Sequence, residues 1–237
     1  MPAPNDPNSS ELQRDQPAIE PGPTPVEESA AFSMEEVISE IIPNPKTVSA
    51  IIEFLNQEQL EPEDVEVTAG MWGWDESADI ATIKHGTKEF FVAPDWETCK
   101  NMALALVKND LDNEPDIFNS DFMEAHINVD RLRDTLMSDV EESIRDAAEA
   151  YNLDPESENF DDEVSNAAEK ELADPIQYLK DIYGNEDGMK QAMQWGGINI
   201  EEAAEDAVAA DGPGHFLASY DGDIHELPGG GYWWRHN

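Results

Sequence analysis

The side chains of this chain that could do chemistry gather near its end: His215, Asp221, Asp223, His225, Glu226 and His236. Histidine and carboxylate ligate divalent transition metals when a fold brings several of them together. The spacing here follows no metal motif. Asp221-Gly222-Asp223 is too short for a calcium loop, which also needs a glycine at its sixth position and a glutamate at its twelfth. Ser165 and Ser219 lack a G-x-S-x-G elbow, and Cys99 sits in a helical pattern with Lys100 as its basic neighbour. No glycine-rich phosphate loop precedes a helix. Acid–base pairs cannot be singled out among 54 Asp and Glu, because any two look paired. The expectation is a non-enzymatic chain with no catalytic residues, no metal and no other cofactor, whose chemistry is electrostatic.

Against those 54 acids stand 13 Lys and Arg, a formal charge of -41 over 237 residues. Phosphates and anionic membrane surfaces repel such a body, so neither direct nucleic-acid binding nor membrane association is expected. Strong acidity suits a basic partner, or very high salt that screens self-repulsion. Residues 101–210 hold 29 acids and 7 bases, a net of -22 and more than half of the total. That concentration favours a directed basic partner. Acid in every other segment keeps a second reading open, a salt-adapted protein whose charge only solubilises it. A single cysteine excludes an internal disulfide framework and a multi-cysteine zinc site. The opening MPAPNDPNSS lacks the basic and apolar regions of a secretory leader, and no run reaches the roughly eighteen apolar residues of a membrane span. A cytoplasmic protein is expected.

The elements that must position these groups follow from periodicity. Residues 1–31 carry Pro2, Pro4, Pro7, Pro17, Pro21, Pro23 and Pro25 with few large apolar groups, and read as a disordered arm. From Ser33 a helical pattern runs to Pro43, and Asn44-Pro45 opens another lined by Val48, Ile51, Ile52 and Leu55, so a helical hairpin is expected. The runs VEVTAGMWGWD, ADIATIKHG and KEFFVAPD then read as three strands in meander order. Trp72 and Trp74, two residues apart, would share one face of the first strand, for a helix from Asp95 to cover or a ligand to use. The last part reads as a helical turn and a β-hairpin around Gly229-Gly230-Gly231. The expected fold is α+β and mainly helical, divided into the arm at 1–31, a hairpin plus small α+β unit at 32–112, and an acidic helical region with a C-terminal hairpin at 113–237.

Within that last region, Leu132, Leu136, Val140 and Ile144 mark a helix whose other faces hold Asp134, Asp139, Glu141, Glu142, Asp146 and Glu149. Glu158, Asp161, Asp162, Glu163, Glu169 and Glu171 follow in the next segment. Sixteen helical residues span about 24 Å, a length over which duplex DNA places about fourteen phosphates. On two antiparallel helices the twelve acids would approach that density, making this the candidate partner-binding face.

The stretch INIEEAAEDAVAADGPGHFLASYDGDIHELPGGGYWWRHN, residues 198–237, resembles the end of an uncharacterised group of phage and plasmid proteins. The resemblance is carried by an acidic helix, a turn containing His215, Phe216, Tyr220, Asp221 and Gly222, and a final aromatic strand with Trp234 and Arg235. The same ending is similar to the ArdA-type antirestriction proteins, acidic dimers that imitate bent DNA and occupy type I restriction enzymes. There the shared pattern is the acidic helix Ile200 to Asp206 and the aromatic strand Gly231 to Arg235. The resemblance implies an antirestriction-like inhibitor in a host cytoplasm and a homodimer, with a basic nuclease or other nucleic-acid-binding protein as target. An acidic phage structural, assembly or adaptor protein that docks on a basic partner without imitating DNA is the alternative reading of the charge.

Overall fold

In the computed structural model, residues 33–74 and 77–237 are described. The proline-rich arm expected over 1–31 lies outside them. Ten helices and five strands among the described residues make an α+β fold that is mainly helical.

Two short helices come first, α1 at Met34–Ile41 and α2 at Pro45–Glu58. Asn44 caps the second as its sequence suggests, its side-chain oxygen accepting the Lys46 N–H at 3.0 Å. A meander follows, with β1 at Glu66–Ala69, β2 at Ala81–His85 and β3 at Lys88–Ala93. Gly86 at φ +62° supplies the left-handed turn between the last two. Helix α3, Trp96–Asn113, starts at Asp95, whose carboxylate accepts the Thr98 N–H at 3.0 Å. That bond holds the Asp95 carboxyl below its ordinary range.

The hairpin at the chain end, β4 at Ile224–Glu226 and β5 at Tyr232–Arg235, does not stand apart. Strand β5 pairs antiparallel with β3, Phe91 opposite Trp234 and Val92 opposite Trp233, so one five-stranded sheet runs β1-β2-β3-β5-β4. The boundary expected at 112/113 falls inside a single compact unit, Met34–Asn237. Pairing between residues so far apart in the chain leaves no local mark.

Alternation along the strands sets the two faces of this sheet. Ala81, Ile83, Phe90, Val92 and Trp233 pack with Ile51, Phe54 and Leu55 of α2. Phe91, Ala93 and Trp234 point the other way and join Cys99, Met102 and Ala103 of α3. The sheet is therefore buried between the first helical hairpin and the helices that follow. Trp72 and Trp74 correct the expectation for them. Strand β1 ends at Ala69, and both tryptophans lie in the turn beyond it, Trp72 at φ +52° and 46% exposed.

The helical part runs α4 at Ser120–His126, α5 at Val129–Asp146, α6 at Phe160–Glu171, α7 at Pro175–Tyr183, α8 at Asn185–Gly196, α9 at Ile200–Asp211 and α10 at Pro213–Leu217. Polar caps start four of these where the chain turns: Asn119, Asn128, Asp174 and Asn199 each accept a first-turn N–H. Helices α7 and α8 meet closely at Gly188, where a Cβ would lie 2.6 Å from the Lys180 backbone. Alanine gains about 1 kcal/mol over glycine in helix propensity. Overlap with immovable backbone costs more, typically about 1–3 kcal/mol and upward. Gly188→Ala is thus expected to lower stability by about 1–2 kcal/mol, and a denaturation midpoint at or above the parent's would contradict that packing.

Candidate functional site

The acidic candidate face is an antiparallel helical hairpin. Ser165 Oγ donates to Glu141 at 2.5 Å, Arg145 reaches Asp161 at 3.4 Å, and Arg133 Nε donates to the Leu172 carbonyl at 3.1 Å. Arg133 near the start of α5 meets the cap that ends α6, and Arg145 near the end of α5 meets the start of α6, as antiparallel packing requires. Val140, Ile144, Val164 and Ala168 are buried beneath.

That arrangement sorts the predicted residues. Glu141 is half-buried in the seam between the helices, where Arg145 pairs with it at 3.6 Å and also reaches the exposed Asp161. Asp134, Asp139, Glu142, Asp146, Glu149, Glu158, Asp162 and Glu163 are exposed. At about 100° per residue, Asp139, Glu142 and Asp146 fall within about 60° of one another, on the side of α5 turned away from the Glu141 seam. Asp134 lies about 140° from Asp139. The twelve acids therefore do not make one continuous ridge of DNA-like density, because α6 takes the flank that would have joined its charges to those of α5. What remains is a single stripe. Its three carboxylates cover about 10 Å of axis, over which one DNA strand places about four phosphates.

The C-terminal residues divide differently. The Arg235 guanidinium lies over the Tyr220 ring, 3.7 Å from its centroid, and Arg235 Nε donates to the Asn237 carbonyl. Asn237 Oδ1 in turn accepts the Glu89 N–H at 2.8 Å, so the chain end is tied to β3. Trp234 is fully buried against Phe91 and cannot touch a partner. Its place in the C-terminal ending is that of a core residue. Neither its indole N–H nor that of Trp233 meets a hydrogen-bond acceptor. Asp221 accepts the Asp223 N–H at 3.0 Å around Gly222, whose φ of +78° makes the turn before β4.

His215, Asp221, Asp223, His225, Glu226 and His236 do not converge. His225 stacks on Trp233 at 4.3 Å, and His236 bonds Ser219 Oγ at 3.1 Å beside Trp72. Among the described residues no three His, Cys, Asp or Glu side chains are grouped to hold a metal. His215 and Phe216 instead help to line a groove of about 500 Å³ with Phe118, Phe122, Asp110 and Asp211. Sequence reading missed this place because its walls come from four separated stretches.

No family model, curated protein or solved structure matches this chain. The site must be read from its own geometry. Among the described residues no helix is long and apolar enough to cross a membrane.

Cys99, the one thiol, is buried in α3, and that burial pushes it up to about 12. At pH 8 it is protonated and closed to solvent, whereas thiolates are the reactive form. A thiol reagent is expected to label the folded chain only as fast as it unfolds. Labelling within seconds under native conditions would show that α3 opens locally.

Proposed function

We propose that this protein is a non-enzymatic, antirestriction-like inhibitor that occupies the basic nucleic-acid site of a host defence or DNA-processing enzyme. The Asp139, Glu142 and Asp146 stripe carries the reading. Its charges stand in one row about 5 Å apart, of the same order as the roughly 3.4 Å rise between phosphates of one strand, and the three side chains are exposed with no cation paired to them in any ion pair found among the described residues. The formal charge of -41 supports it by drawing a basic partner in, which raises association rates and suppresses neutral competitors. The target class is the one implied by the resemblance read from the sequence of residues 198–237.

The stripe is shorter than the roughly 24 Å that twelve acids would have covered, so it answers to a few phosphate-binding residues rather than to a whole DNA-binding cleft. The test is displacement. Purified protein should release labelled duplex DNA from a type I restriction enzyme at about 50 mM salt, and its own binding to that enzyme should weaken markedly at about 300 mM. No release from that enzyme or from an unrelated basic nuclease at either salt would remove the proposal.

An acidic adaptor that docks on a basic protein without imitating DNA is the second reading. The groove between α3, α4, α9 and α10 favours it, because a recess with aromatic walls fits a protein side chain and has no counterpart on DNA.

A further inference from the structure

The groove beside His215 combines two features that rarely meet on a charged surface. Phe118 and Phe122 stack with ring centroids 5.5 Å apart and are only half-buried, and Ile117 beside them is 59% exposed. Asp110 and Asp211 share the same walls, and no Lys or Arg lines them. The Asp110 carboxylate has Asn109 Nδ2 as a distant partner at 3.4 Å, and burial raises its pKa from the usual carboxylate value. Apolar recesses of this size on an acidic surface are open to a ligand that satisfies both the rings and the carboxylates.

A guanidinium group has that chemistry. It is planar, stacks on aromatic faces, is weakly hydrated, and offers paired N–H donors to a carboxylate. An ammonium group is compact and holds its water more strongly, so it gains less from the rings. We propose that this groove takes an arginine side chain from a basic protein partner, gripped between the phenylalanines and Asp110 or Asp211. The inference rests on the reading of this chain as a ligand of a basic protein, but it does not depend on the α5 stripe.

Calorimetric titration of the full chain tests it with two probes, a short peptide of alternating glycine and arginine and the same peptide with lysine throughout. At about 300 mM salt and pH 8 the arginine peptide is expected to bind about fivefold more tightly. Ala210→Trp, which fills the groove from its exposed rim, should bring the arginine peptide down to the lysine value. Asp110→Asn should weaken the arginine peptide about fivefold. Asp139→Asn with Glu142→Gln and Asp146→Asn should weaken both peptides alike and leave their ratio unchanged. Equal affinities for the two peptides, or an arginine preference that survives both Ala210→Trp and Asp110→Asn, would overturn the assignment. If DNA displacement fails while the arginine preference holds, the stripe reading falls and the groove stands; the opposite pair of results rejects the groove alone.

Discussion

Replacing Trp234 by alanine is expected to cost about 3–5 kcal/mol, the range for a large aromatic removed from a closed core. Stabilities of domains this size are about 5–15 kcal/mol, so the variant should be marginal or unfolded. The reason is position. Trp234 is fully buried, faces Phe91 across the β3–β5 pair and Ile224 across the β4–β5 pair, and belongs to the cluster that continues into α3. Losing it opens the seam that joins the C-terminal hairpin to the meander. Trp234→Phe should be far milder. It keeps a ring and removes an indole N–H that has no acceptor, and a buried unmade donor costs about 1–3 kcal/mol. Trp72→Ala, at a half-exposed turn position, should cost about 1 kcal/mol. Urea denaturation followed by circular dichroism measures all three. A Trp234→Ala midpoint equal to that of Trp72→Ala would mean that the hairpin does not belong to the cooperative unit.

The second large effect is expected on binding. Neutralising Asp139, Glu142 and Asp146 with the isosteric amides removes the row of exposed carboxylates on α5 that carries the proposed reading. If each contact with a basic site is worth about 1 kcal/mol, the triple variant loses about 3 kcal/mol, or more than a hundredfold in the concentration needed to displace DNA. Folding should not suffer. Like charges three and four residues apart on a helix repel by about 0.2–0.5 kcal/mol, so the amides relieve strain rather than add it. The control is Glu61→Gln with Glu63→Gln and Asp64→Asn, three exposed acids before β1 that change the net charge by the same amount. Equal loss of displacement in the two triple variants would show that total charge, not the stripe, is what a partner feels, and the mimicry reading would be abandoned. The same comparison separates a salt-adapted surface, which should lose nothing specific in either variant.

Local chemistry explains which features can be read directly from the chain. Pro43, Asn44 and Pro45 stop one helix and start the next with groups that act within three residues. Asp95, Asn128 and Asp174 do the same for α3, α5 and α7. The Gly229-Gly230-Gly231 turn was visible as a hairpin loop. Its reason was not: a Cβ on Gly231 would lie 2.7 Å from Ala50 of α2, and the Gly229 N–H donates to Glu53 at 2.8 Å. The loop is glycine where it passes over the first helical hairpin.

By itself the sequence determined the mainly helical α+β class, the order of the helices, the acid excess and the C-terminal hairpin, because periodicity, caps and charge are properties of neighbouring residues. The tertiary structure decided what those elements face. It joined β5 to β3 through contacts that span the chain, buried Trp234, turned Trp72 out of the sheet, and brought four distant stretches together around Phe118 and Phe122. It also broke up the acidic ridge. Helical spacing says which acids share a side of α5, but only the packing of α6 against Glu141 and Arg145 decides which of those sides still meets solvent.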